Sequence, residues 1–406
     1  MSKVTVIGGA GTVGAVAVRT LVAAEYFSEI VIADANLEQG KAVAREYGPD
    51  KISVVQVRAE DAASIKEAIK GSDVVCNTVG PFYKFGPIIL KAAIESGINY
   101  VDVCDDFDAT EAMLPMDAEA KKNSVSALIG MGSSPGLGNV LIRFCIETML
   151  DEAESVDIYH AHGGEPSEGP AVVKHRIHSM LLDIPVFLDG KATKVQLFEE
   201  SGKALEEVTD FKNVGTYLCY AYPHPETMTL PMYYKSLKRV TNLGLVLPPD
   251  YAELIKGVVR LGMVGEEPLS VQGCDIPPLD FAVTYILSQR QRLMDEADLN
   301  VPQGCLKIVI KGTKEGAPHT YVFSLSSRGQ GMGEGTGIPA ALGAILMAQG
   351  KIPEKGCFPP EGGVKPLDIL ELATKVLKGF EGGEGLPISV NHIDKDGNIE
   401  SMDLKF

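Results

Sequence analysis

From the N-terminus to about Ile129 the apolar positions follow two alternating rhythms. Short apolar runs at residues 4–7, 30–33, 52–57, 74–76, 100–103 and 125–129 are rich in β-branched side chains and predict strands. Between them, residues 11–25, 37–47, 62–70, 87–96 and 109–123 place apolar side chains at helical spacing. Strand and helix alternating at this pitch specify an α/β fold, a parallel sheet with helices on both faces. Six strands in this order fit a doubly wound sheet.

After Ser133 the rhythm changes. A helix is expected from Pro135 to about Leu150. Strands are expected at 155–160, 191–197, 237–243, 306–310 and 319–325, and helices at 251–261 and 282–295. The run Lys174-His175-Arg176-Ile177-His178 reads as a strand whose alternation puts Lys174, Arg176 and His178 on one face. Strands gathered apart from helices predict an α+β second domain. Residues 335–350 form a helix of small residues, 367–378 another, and Lys395-Asp396-Gly397-Asn398 turns a hairpin. The expected division is 1–135, 136–330 and a C-terminal segment 331–406.

Composition narrows the class. The 45% apolar and 22% charged residues are those of a globular chain, and the net charge of −17 argues against nucleic acid and anionic membranes as partners. No apolar run reaches the length of a membrane span, and the N-terminal run is too short for a signal peptide, so a cytoplasmic location is expected. Seven cysteines, with no C-x-x-C pair, argue for free thiols and against structural zinc. His160 and His162 alternate on one strand without a third clustered ligand, so no metal is expected.

Gly9-Ala10-Gly11-Thr12-Val13-Gly14 follows the first strand and opens the first helix. This G-x-G-x-x-G is the fingerprint of a dinucleotide-binding Rossmann domain, with the pyrophosphate at the helix N-terminus. Asp34 ends the second strand, at the separation from Gly14 where an acid accepts from the ribose 2′-hydroxyl and repels a 2′-phosphate. Ala35 follows it with no nearby cation, so NAD is favoured over NADP. Ala59 after the third strand and Thr78, Val79 and Pro81 after the fourth complete the expected cofactor contacts. The Gly8, Gly11, Gly14 spacing also suits short-chain dehydrogenases. Their Tyr-x-x-x-Lys pair occurs here only as Tyr47/Lys51 and Tyr234/Lys238, both misplaced for that chemistry.

With these stretches, Tyr100-Val101-Asp102-Val103, Ser134-Pro135-Gly136-Leu137-Gly138-Asn139, Thr336-Gly337-Ile338-Pro339-Ala340-Ala341 and Phe358-Pro359-Pro360-Glu361 resemble the saccharopine dehydrogenase family, in layout its lysine 6-dehydrogenase branch. The resemblance implies a Rossmann domain and a substrate-binding domain that dimerises. The C-terminal segment returns to the first domain and brings Thr336 and Asn139 near substrate. It also implies NAD(P)-linked oxidation of a C–N bond in an amino acid or opine, through an imine. Where the family often has an Asp before Pro-Gly, this chain has Gly130-Met131-Gly132. That keeps a carboxynorspermidine- or homospermidine-type polyamine enzyme as an alternative, beside a non-catalytic NAD-binding redox sensor.

Amine oxidation needs a base and a carboxylate site. Asp105 and Asp106, at the end of the fifth strand, are expected to bind an ammonium or share a proton, or else to cap the next helix. His178 and His224 are the other candidate acid–base groups. Arg176, Glu226 and Arg328 are candidate substrate contacts, Arg176 and Arg328 for a carboxylate.

Overall fold

The computed structural model describes residues 2–166, 168–378 and 386–404. Its first sheet is parallel and contains β1 (Lys3–Ile7), β2 (Glu29–Asp34), β3 (Ile52–Gln56), β4 (Val74–Asn77), β5 (Asn99–Asp102) and β6 (Ser126–Leu128) in the order β6-β5-β4-β1-β2-β3. The order reverses at β1/β4, which leaves a crevice at the carboxyl ends of those strands. Val4, Val6, Ile30, Ile32, Val74 and Val75 are buried, as expected of strands covered on both faces. Two helices differ from expectation. One starts at Phe82 rather than Pro87, and the stretch 109–123 is broken by a 3₁₀ turn, Leu114–Met116, around Pro115.

Among the described residues the second sheet has ten strands. They are β7 (Glu152–Gly163), β8 (Ile184–Leu188), β9 (Lys191–Val195), β10 (Glu207–Phe211), β11 (Gly215–Ala221), β12 (Arg239–Leu247), β15 (Gln303–Lys314), β16 (Ala317–Arg328), β18 (Ile388–Ile393) and β19 (Ile399–Met402). β13 (Leu269–Val271) and β14 (Cys274–Ile276) form a separate hairpin, and β17 (Gly356–Phe358) belongs to the first sheet. Alternation along β7 sorts the two faces. Val156 and Ile158 enter the core shared with the first sheet, while Tyr159 and Ala161 face a second core with Val173, Ile177 and Tyr251.

The segment expected as a strand at 174–178 is helical, part of Pro170–Leu181. Five residues of alternating polarity fit either period, and Pro170 at the first helical position settles it. His178 therefore does not share a face with Arg176. It shares one with His175, three residues back.

The C-terminal segment stitches the two sheets together. Helix Met332–Ala348 lies on helix Thr12–Ala23 so closely that a Cβ on Gly337 would sit 2.5 Å from the Val13 carbonyl oxygen. β17 then pairs in parallel with β6 and adds a seventh strand to the first sheet. β18 and β19, joined by the turn at 394–398, return to the second sheet.

Candidate functional site

At the dinucleotide end, Gly8 has φ +81°, and a Cβ on Gly14 would lie 2.1 Å from the Gly8 carbonyl oxygen. Only glycine fits either place. Gly11 is the N-cap of helix Thr12–Ala23 and no side chain caps its first turn, where the helix dipole favours an anion. Asp34 accepts from the Ala10 amide at 3.0 Å and the Asn36 amide at 2.9 Å, which locks its carboxylate at the end of β2. The Gln56 side-chain carboxamide donates to the carbonyl of Ala35, and Ala59 packs against the core nearby. Arg58 pairs with Asp61. Thr78 donates to the Ile7 carbonyl at 2.9 Å, the Val79 amide to Asn77 at 3.0 Å, and Pro81 caps the next helix. The loop residues thus fit a dinucleotide.

The loop after β5 carries the acids. Asp102 is fully buried and accepts from the amides of Cys104 and Gly130, at 3.1 and 2.7 Å, and from the Tyr100 hydroxyl at 2.8 Å. Burial outweighs these bonds and pushes its carboxyl up to about 6. Asp102 ties the ends of β5 and β6 together and so holds Asp105 and Asp106 in place. Asp106 stands at the N-cap position of helix Phe107–Met113, but its side chain makes no capping bond there and instead accepts from the Tyr83 amide at 3.0 Å. Its other oxygen lies 2.7 Å from His175 Nδ1, and Asp105 lies 3.5 Å from His175 Nε2. The two aspartates straddle one imidazole rather than sharing a proton with each other. Burial alone would lower the His175 pKa, but Asp105, Tyr222 and Asp106 outweigh it and hold it well above the usual value. Burial likewise opposes ionisation of Asp106, and the His175 charge overcomes it, so that carboxyl stays below its ordinary range. His178 lies 2.8 Å from Asp108 and stacks on Tyr83, centroids 3.9 Å apart.

From His175 a polar wall runs back toward the nucleotide loop. Tyr222 lies 6.4 Å from His175, 5.5 Å from His224 and 5.1 Å from His160 between ring centroids. Buried His224 lies 3.2 Å from Glu226, whose other oxygen accepts from Ser134 after β6. His162 lies 3.9 Å from Glu165, which accepts from the amide of Met332, and Gly333 abuts Thr12. Five of the seven histidines, 160, 162, 175, 178 and 224, therefore gather in one chain of ring and ion-pair contacts between the end of β5 and the second sheet.

Most of the other expected contacts are engaged within the protein. Arg176 is buried against Glu168, which also accepts from Tyr251 and lies 3.6 Å from Arg290. Asn139 is buried, accepts from the Gly136 amide at 2.9 Å and donates to Glu361 at 2.8 Å. Thr336 packs its methyl against Gly132, and Arg328 is exposed at the end of β16. Sequence reasoning passed over His175, Asp102, Tyr222 and Ser134. The pair His175 and His178, one helical turn apart behind the Gly169-Pro170 helix start, is the signal for the first. No metal was expected; among the described residues one set, Asp105, Asp106 and His175, brings three ligand-capable atoms within 4.8 Å.

The family model described as the saccharopine dehydrogenase NADP binding domain matches residues 4–128, and that of the saccharopine dehydrogenase C-terminal domain matches 132–385. A carboxyaminopropylagmatine dehydrogenase of Synechocystis is 24% identical over 380 residues, covering 88% of this chain and 92% of the relative. A carboxynorspermidine synthase of Vibrio alginolyticus is 20% identical, covering 76% of this chain and 77% of its own. The solved structure of apo saccharopine dehydrogenase (L-Glu forming) from Saccharomyces cerevisiae superposes with a TM-score of 0.67 at 16% identity. It covers 92% of this chain and 97% of its own. Matched by its family models from the first strand into the C-terminal segment, the chain belongs to the saccharopine dehydrogenase family of NAD(P)-binding oxidoreductases acting on CH–NH donors.

Proposed function

We propose that this protein oxidises, reversibly, the C–N bond of a carboxylated secondary amine, of the opine or carboxyalkyl-polyamine kind. The observation that carries the reading is the charge balance at the end of β5. Asp105 and Asp106 flank one imidazolium, His175, a set with net charge −1 that favours a cationic nitrogen. Both relatives matched along most of their length are named for carboxylated amines, which agrees with this preference. The nicotinamide, when bound, takes up or gives the hydride.

The chain's own residues handle the protons. Half-exposed Asp105 takes one proton from the substrate ammonium, leaving a neutral amine whose carbon can release hydride. Asp105, having released that proton to solvent, takes one from the water that adds to the iminium carbon, and His175, which orients Asp105, gives one to the amine nitrogen as the C–N bond breaks. The wall from Tyr222 to His162 covers the reacting face and excludes bulk water. Asp34, fixed by two backbone amides, favours NAD, since its carboxylate would face a 2′-phosphate.

The test is a spectrophotometric screen of purified protein with NAD or NADP. Saccharopine, lysine, carboxynorspermidine and their parent amines are the panel. A rise in reduced cofactor with a carboxylated secondary amine, and none with simple alcohols, is the expected result. Binding of reduced cofactor with no turnover across the panel would refute it and favour the non-catalytic sensor.

A further inference from the structure

At the carboxyl ends of β4, β5 and β6 a chain of polar side chains runs through the core where apolar ones would fill the space. Asn77 and Asp102 are partners on the last rung between β4 and β5, and beyond it no ladder holds the two loops together. Tyr100, two residues before Asp102, lies on the same face of β5. The Val79 amide donates to Asn77 Oδ1 at 3.0 Å, Asn77 Nδ2 donates to the Tyr100 hydroxyl at 3.0 Å, and that hydroxyl donates to Asp102 Oδ2 at 2.8 Å. Asp102 Oδ1 closes the chain by accepting from the amides of Cys104 and Gly130. Gly130 has φ +79°, and a Cβ there would lie 2.7 Å from the Pro135 ring, so the approach of this amide depends on glycine. Asn77, Tyr100 and Asp102 are all fully buried. Apolar side chains of similar shape would spare the cost of burying a carboxylate, so stability alone does not account for the set. What it adds is a directional link with every member satisfied. One end holds the loop of Thr78, Val79 and Pro81, the other the loop of Asp105 and Asp106.

We propose that Tyr100 is a positioning residue whose hydroxyl joins the cofactor loop after β4 and the acid loop after β5 into one unit, so that a dinucleotide bound at the first orders Asp105 and Asp106 at the second. Order shared in this way is a coupling between two sites, and it acts in both directions. The task given to the two acids rests on the amine-dehydrogenase reading; the link between the loops does not.

Amide hydrogen exchange of the full chain, free and saturated with NADH, reads the link without any substrate. The quantity is the ratio of exchange rates with and without NADH. In the wild type NADH should slow residues 78–85 and, through Tyr100, residues 103–106, the latter by roughly tenfold. Tyr100→Phe removes one hydroxyl and no bulk. NADH should still slow 78–85 in this variant, while the ratio at 103–106 falls to roughly one. A merely structural role would speed 103–106 equally with and without NADH and leave that ratio as in the wild type. Asn77→Ala cuts the chain at its other end and leaves the bond from Tyr100 to Asp102 whole. It should give the same loss at saturating NADH, and guards against a folding defect around Asp102 in the first variant. A wild-type ratio at 103–106 that survives in both variants overturns the link even if amines are oxidised, and so does wild-type slowing confined to 78–85. Coupling lost in both variants, with no carboxylated amine oxidised by the wild type, leaves the link standing and removes the dehydrogenase reading instead.

Discussion

Glu361 offers a quantitative test of the packing behind the cleft. It is only 3% exposed, on the turn Pro360–Gly363, where Asn139 donates to one oxygen. Burial, with the Glu226 charge nearby, raises its carboxyl from 4.5 to about 7. A group whose pKa rises on folding stabilises the fold fully below its unfolded value. That contribution is lost as the pH climbs through the folded one. Each tenfold change in the ionisation constant is worth about 1.4 kcal/mol, so the full loss is about 3 kcal/mol, of which about 2.5 falls between pH 5 and 8. Glu361→Gln keeps the acceptor for Asn139 and abolishes the titration. Urea unfolding of both proteins at the two pH values, compared as a difference, cancels every other titrating group. The variant should gain about 2.5 kcal/mol relative to wild type on going from pH 5 to 8. A difference independent of pH would refute the assignment of a buried, protonated Glu361.

Three further outcomes follow from the geometry. Gly337→Ala forces a methyl against the Val13 carbonyl, and should cost roughly 1–3 kcal/mol in stability and weaken NADH binding by moving the phosphate loop, as melting and fluorescence titration would show. Unchanged values of both would mean the two helices separate freely. Asp34→Ala should bring the NADP and NAD dissociation constants closer by roughly tenfold, and equal wild-type affinities for the two would remove the preference itself. Asp106→Asn removes one of the carboxylates that keep His175 protonated, so the imidazole loses its proton at lower pH and the alkaline limb of kcat/KM moves to lower pH. A limb that stays in place would exclude His175 as the proton donor.

Much of the first sheet could be read from the chain because each strand is buried on both faces and so appears as an unbroken apolar run between helices. The glycine motif and Asp34 were legible for a related reason: the nucleotide loop is built from neighbours in sequence. The cleft was only half legible. Asp105, Asp106, His178, His224 and Glu226 were visible as residue types, but what joins them is long-range: His175 meets Asp106 across 69 positions and Ser134 meets Glu226 across 92. The misassigned stretch 174–178 shows the local limit. Over five residues a two-residue and a 3.6-residue period cannot be separated, and the wrong period turned His175 away from the acids it faces. β17 was invisible because three residues, Gly356-Cys357-Phe358, carry no periodicity and their partner is the distant β6.

That strand has a bearing on how the chain is made. During synthesis β1 to β6 emerge early, yet the sheet they form waits for its last strand until Gly356–Phe358 has been made. Until then β6 is an open edge, three buried residues with backbone groups ready to pair with any passing strand. A fragment ending near residue 330 therefore keeps the nucleotide motif but exposes this edge, together with the bare face of helix Thr12–Ala23 that Gly333 and Gly337 would have covered. The first sheet thus takes its last strand, and the cover of one helix, from the C-terminal segment. Its completion waits for residues made late in synthesis, and until then its edge is exposed to wrong pairing.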